Sequence, residues 1–255
     1  MRKNWIWAAA CVLLACALML CTTKNLEKDK QIAEKTRILG EAYYRDQRPQ
    51  EALRTFLKAE ALYADDHLLQ EDLGLAYLAL GKPELAIRHF KKSLEINPEY
   101  TPARNNLGNA YASQKEWAKA IEQYRIASTD VLYATPYFPL SNLGFVYYQQ
   151  KEYTLAERYY RKALKAKRDY VGALHGLART YLATDRVDEA IETLDKAIAI
   201  APEMAFLYYD LANAYRQKRD YKKAHALYLK VARIEPDSNL ADEALRDARK
   251  MEQMY

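Results

Sequence analysis

Cysteine is nearly missing from this chain. All three cysteines, Cys11, Cys16 and Cys21, fall within its first 21 residues, and the remaining sequence up to Tyr255 has none. That excludes a disulfide framework and any thiolate metal site from the bulk of the protein. Histidine is almost as scarce. His67, His89, His175 and His225 occupy unrelated places, and none pairs with another histidine or a cysteine at helical spacing, so no metal and no cofactor is expected. There is no glycine-rich phosphate loop and no Gly-x-Ser-x-Gly turn, which removes the usual nucleotide and acyl-transfer sites. No stretch alternates with period two long enough to be a strand. Net charge is only +5, with Arg2 and Lys3 in the first few residues, which is too little to argue for nucleic acid. The expectation from these absences is a non-enzyme with no small-molecule substrate.

What is present is a period. A small residue recurs at Gly40, Gly74, Gly108, Gly144, Ala178 and Ala212, in steps of 34, 34, 36, 34 and 34. Each is preceded by Leu and followed three residues later by Tyr, from Leu39 and Tyr43 through Leu211 and Tyr215. Twelve residues after each comes Ala: Ala52, Ala86, Ala120, Ala156, Ala190 and Ala224. Apolar residues at three- and four-residue spacing make both halves of every unit amphipathic helix. The small residue and the alanine let the two helices approach, and an aromatic or Leu (Phe56, Phe90, Tyr124, Tyr160, Leu194, Tyr228) is expected to pack on the next unit. Pro98, Pro202 and Pro236 end second helices, because proline lacks the N–H that would continue them.

This pattern resembles the tetratricopeptide repeat, a helix–turn–helix unit that stacks into a solenoid. The expected fold is all-α, with six repeats at 33–66, 67–100, 101–134, 137–170, 171–204 and 205–238 and a capping helix over 239–255. Its charged run, Asp242, Glu243, Arg246, Asp247, Arg249 and Lys250, suits a solvent-facing cap.

The N-terminus reads as an export signal. A basic start, Met1 to Asn4, leads into an apolar run from Trp5 to Leu14 and then Leu13-Leu14-Ala15-Cys16. A small residue before cysteine is the bacterial lipobox. Residues 1–15 are then a lipoprotein signal peptide, Cys16 the lipidated residue and 16–32 a polar, lysine-rich tether. Cys21 is the alternative lipidation site. A third reading keeps the segment uncleaved as an inner-membrane signal anchor holding a periplasmic repeat domain, since Trp5 to Cys21 is at the short limit for a spanning helix. Neither cysteine is followed by Asp, which points both lipobox readings to the outer membrane.

The one long step falls at Ser128 to Tyr137, where Pro136 and Pro139 bracket the entry to the next helix. Asp130, Leu132, Tyr133 and Pro136, ahead of Asn142-Leu143-Gly144, together with the lipobox and six repeats, resemble the pilotin lipoproteins of type IV pili, the PilF/PilW/Tgl group. The resemblance covers essentially the whole mature chain. It implies an outer-membrane protein that binds secretin subunits and promotes their assembly into the pilus exit ring. The periodicity alone says only an anchored scaffold that binds other proteins, such as a factor for cytochrome maturation or envelope assembly.

In a stack of this kind the first helix of each repeat lines the concave side. The lining residues include Asn105 and Asn109, then Phe138, Ser141, Phe145 and Tyr148, then His175 and Arg179, then Phe206, Tyr209, Asn213 and Arg216. Amides bond a peptide backbone as donor and acceptor, the arginines suit a carboxylate, and the aromatics give apolar contact. Asn106 and Asn142 also read as residues that bond between repeats. Leu68, Leu75 and Leu78 form an apolar stretch, either a docking groove for a partner helix or a contact for the tether. The basic run Arg158, Arg161, Lys162, Lys165, Lys167 and Arg168 reads as a solvated face, or as a patch for an acidic partner.

Overall fold

The computed structural model describes residues 25–254. Among these the chain is entirely helical. Helix α1 covers 25–45 and is followed by α2 (Pro49–Leu62), α3 (His67–Ala79), α4 (Pro83–Ile96) and α5 (Thr101–Ser113). Then come α6 (Trp117–Thr129), α7 (Tyr137–Gln149), α8 (Tyr153–Ala166) and α9 (Val171–Ala183). The series ends with α10 (Val187–Ile200), α11 (Ala205–Gln217), α12 (Tyr221–Ile234) and α13 (Asn239–Glu252). Residues 25–32, read from sequence as part of the tether, are helical and lengthen α1. The segment read from sequence as an export signal, with Cys16 and Cys21, lies outside the described residues. Among the described residues no helix is long and apolar enough to cross a membrane.

The chain divides into two compact units, one up to Lys115 and one from Glu116. In the first, α2 packs on α3, α3 on α4 and α4 on α5, and the first helices α3 and α5 also touch. In the second, each helix from α6 to α13 packs on the next, and α7, α9, α11 and α13 form a row in which each meets its neighbour. Helix α13 thus takes the place of a further first helix and buries Ala244, Ala248 and Met251 against Ala212, Tyr208 and Tyr228.

The small residues of the repeat are explained by rings. A Cβ placed on Gly40 would lie 2.4 Å from the Phe56 ring, and one on Gly74 2.4 Å from the Phe90 ring. Phe56, Phe90 and Tyr160 therefore fill the notch over the glycine of their own repeat, a contact in addition to the expected one with the next repeat. Tyr160 makes both contacts, lying over Gly144 of its own repeat and Gly176 of the following one.

The turn between paired helices is also repeated. The residue before the second helix donates its N–H to the carbonyl of the periodic tyrosine: Arg48 to Tyr43, Lys82 to Tyr77, Glu152 to Tyr147, Arg186 to Tyr181 and Asp220 to Tyr215, at 2.9–3.0 Å. This is the six-to-one bond of a Schellman turn, which needs a left-handed residue just before it. Gln47, Gly81, Lys115, Lys151, Asp185 and Arg219 all have φ between 58° and 68°. Pro49 and Pro83 are the first residues of α2 and α4, where a missing N–H costs nothing.

Candidate functional site

The first-helix face of the second unit carries a row of half-exposed rings. Phe138 and Phe145 lie on α7 and Phe206 on α11, with His175 and Arg179 on α9 between them. His175 Nε2 is 2.7 Å from Asp210 Oδ2 and its ring meets Phe206 at 4.7 Å. The Arg179 guanidinium sits over the Tyr148 ring at 5.1 Å and reaches the same Asp210 at 4.0 Å. Phe145 and Arg179, both expected from sequence, face one cleft of about 210 Å³, together with Asn142, Tyr148, Tyr160, Gly172 and Gly176.

Further along, Tyr209 donates to Asp247 Oδ2 at 3.0 Å, and Lys250 reaches Asp247 at 2.7 Å. Asp247 is therefore buried and faces inward, not outward as the charged run of the cap suggested; the other five residues of that run are exposed. Burial opposes its ionisation, but the bonds from Lys250 and Tyr209 hold its carboxyl below the ordinary aspartate range. Asn213 accepts from the Tyr228 hydroxyl at 2.8 Å, so its oxygen is committed within its own repeat. Arg216 is exposed.

The first unit presents a different face. Arg37 donates to Asp72 at 3.1 Å and also to Glu41, while its buried Nε, 3.6 Å from Asp66 Oδ2, has no hydrogen-bond partner among the described residues. Glu71 accepts from Tyr100 at 2.6 Å and from Asn106 at 2.9 Å, so Asn106 bonds between successive repeats. Burial outweighs Arg37 at Asp72 and lifts its carboxyl to about 7; burial also raises Glu71. Asn109 donates to Asn106. Asn105 is buried, which removes it from the exposed lining expected of it. Leu68, Leu75 and Leu78 are partly buried on α3, and Leu75 borders a shallow cleft with Glu41, Tyr44, Arg45 and Asp72. That leucine stretch is thus edged by ion-paired charge.

Two features of the site went unread in the sequence. Gly172 and Gly176 open the cleft, and both were visible as departures from the period. Gly176 stands where other repeats have Asp72, Asn106, Asn142 and Asp210, and Gly172 where they have Leu68, Phe138 and Phe206. The basic run of α8 is exposed, with Arg161 bonded to Glu157 and the Tyr181 hydroxyl. Among the described residues no cluster of His, Cys, Asp or Glu could hold a metal ion.

The fold and this face define a class, the tetratricopeptide repeat solenoid. Tetratricopeptide repeat profiles match residues 31–99, 71–130, 147–205 and 205–238, and the chain belongs to that family. Within it the chain is similar to anaphase-promoting complex subunit 3 of Schizosaccharomyces pombe, 26% identical over 174 residues, covering 68% of this chain and 24% of that protein. The chain thus spans about a quarter of the length of that curated relative. It is also similar to the type IV pilus assembly protein PilF of Pseudomonas aeruginosa, 28% identical over 172 residues, covering 64% of this chain and 67% of PilF. The crystal structure of PilW, a type IV pilus biogenesis factor, superposes with a TM-score of 0.76 at 21% identity, covering 84% of this chain and 99% of that one.

Proposed function

We propose that this chain is a non-catalytic lipoprotein of the outer membrane, anchored through Cys16 (or Cys21), that binds secretin subunits and promotes their assembly for type IV pilus biogenesis. The observation that carries the reading is the row of exposed rings and arginines on α7, α9 and α11: Phe138, Phe145, Arg179, Phe206 and Arg216. Half-exposed aromatics beside arginine are the composition of protein-binding hot spots, and nothing in the row has the geometry of a reacting centre. The similarity to the type IV pilus assembly protein PilF supports a role in pilus assembly.

The test is the combined variant Phe145→Ala, Arg179→Ala and Arg216→Ala, expressed from its own locus. All three side chains are exposed, so helical content and melting should hold. Secretin multimers should fall to the level of a deletion strain, and secretin should no longer co-purify. Normal multimers in the variant, or in the deletion strain itself, reject the assignment. Mass spectrometry of the mature N-terminus checks the anchor; an intact signal segment rejects lipidation.

A further inference from the structure

Repeats four and five depart from their neighbours at three positions, and the departures meet in the cleft of the second unit. The first concerns the buried aromatic of the second helix. In repeat six its hydroxyl, on Tyr228, donates to Asn213. In repeat four the residue equivalent to Asn213 is Phe145, which has no acceptor, and among the described residues the hydroxyl of Tyr160 makes no side-chain hydrogen bond. Yet Tyr160 is only 4% exposed. The other two departures are Gly172 and Gly176. A Cβ on Gly176 would lie 2.6 Å from the Tyr160 hydroxyl, so the missing side chain is what lets that hydroxyl reach the opening.

The opening has a size and a chemistry. A benzene-sized ring occupies a cavity of about 150 Å³, and this cleft of about 210 Å³ holds such a ring with room for one further polar atom. Its walls include the rings of Phe145, Tyr148 and Tyr160, which suit the faces and edges of another ring, and the polar Ser141, Asn142, His175 and Arg179 at its borders. Burial raises the Tyr160 phenol, so it stays protonated and donates. Arg179 is already shared between the Tyr148 ring and Asp210, and Asp210 also takes His175, so local charge is balanced and a neutral guest fits better than an anion.

We propose that this cleft is an anchor pocket for one tyrosine side chain of the bound partner segment, whose hydroxyl accepts from the hydroxyl of Tyr160. The proposal rests on reading this face as a protein-binding surface, and it adds the residue type that the surface selects.

The cleft can be probed without any partner. The full chain in detergent, labelled with nitrogen-15 at its seven glycines, gives Gly172 and Gly176 as reporters and Gly40 and Gly74 as residues that do not line the cleft. Titration with p-cresol should shift Gly172 and Gly176 and leave Gly40 and Gly74 in place. Toluene should bind roughly tenfold more weakly, because it leaves the Tyr160 hydroxyl unpaired. Acetate should bind more weakly than p-cresol. Tyr160→Phe keeps the ring and should bring p-cresol down to the affinity of toluene. Phe145→Asn gives Tyr160 the internal acceptor that Tyr228 has, and should weaken p-cresol while leaving the fold intact. The proposal is overturned if p-cresol leaves Gly172 and Gly176 unmoved, if Tyr160→Phe binds p-cresol as well as the unaltered protein, or if acetate binds more tightly than p-cresol. None of these readouts involves the secretin, so either result leaves the partner assignment to its own test.

Discussion

At the scale of single residues the repeat is a set of notches and the rings that fill them. Gly74 shows how opposing effects are decided. Alanine is the better helix former by about 1 kcal/mol, yet its Cβ would sit 2.4 Å from the ring of Phe90, which is fully buried and has nowhere to turn. Overpacking of this kind costs about 1–3 kcal/mol. Gly74→Ala should therefore lower stability by about 1 kcal/mol in denaturant unfolding, with no change in helical signal, and a rise in stability would overturn the account. Repeat five reconciles the same conflict the other way. It has Ala178 where the glycine would be, and Leu194 replaces the ring in the cluster that contains both.

At the scale of the element, the turns show why the tyrosine of the period stands where it does. Its side chain packs, but its carbonyl also closes the turn three residues beyond the helix end. The sequence signals only one of these turns clearly, at Gly81. Elsewhere a residue with a side chain is held at positive φ: Lys151 at 63°, Asp185 at 59° and Arg219 at 62°. The left-handed conformation costs such residues about 1–2 kcal/mol, part of which glycine returns through its greater freedom in the unfolded chain. Lys151→Gly and Asp185→Gly should each raise stability by about 0.5 kcal/mol, additively, as read from the shift in unfolding midpoint. The opening end of the series behaves differently from its interior. Leu39 occupies the place of Leu73 and Leu143, which are fully buried, but is itself half exposed, and among the described residues no earlier repeat lies over it.

At the scale of the whole molecule, acid acts in opposite directions on the two units. Burial raises Asp72 to about 7 in the folded chain, so between that pH and the ordinary aspartate value of 3.8 the folded form holds the extra proton. Its contribution makes the first unit more stable as pH falls through 7 and less stable as pH rises. Asp247 is the reverse case. Its lowered carboxyl contributes stability above the ordinary value, and that contribution is lost as pH falls through the folded value. Hydrogen exchange should show α3 better protected at mildly acidic pH than at alkaline pH, a difference that Asp72→Asn reduces because only the raised Glu71 is left on that helix, while α13 loosens first in strong acid. Exchange at α3 that does not change with pH would contradict the burial assigned to Asp72.

The sequence alone determined the repeated helix pair, because a spacing of small residue, tyrosine and alanine is a local constraint that recurs wherever the same two helices must meet. It also assigned the candidate side chains to the first helix of each repeat, since helical spacing fixes which residues share a side of a helix. It did not decide which of those side chains remain available. Asn105 is buried, Asn106 is bound to Glu71, Asn213 is bound to Tyr228 and Asp247 is turned inward. Each of these outcomes depends on a partner 15 to 38 residues away or on how closely the helices pack. The cleft at Tyr160 has the same origin. Two glycines and a phenylalanine read in isolation are ordinary helix residues, and only packing α7, α8 and α9 together leaves a buried hydroxyl facing an open space.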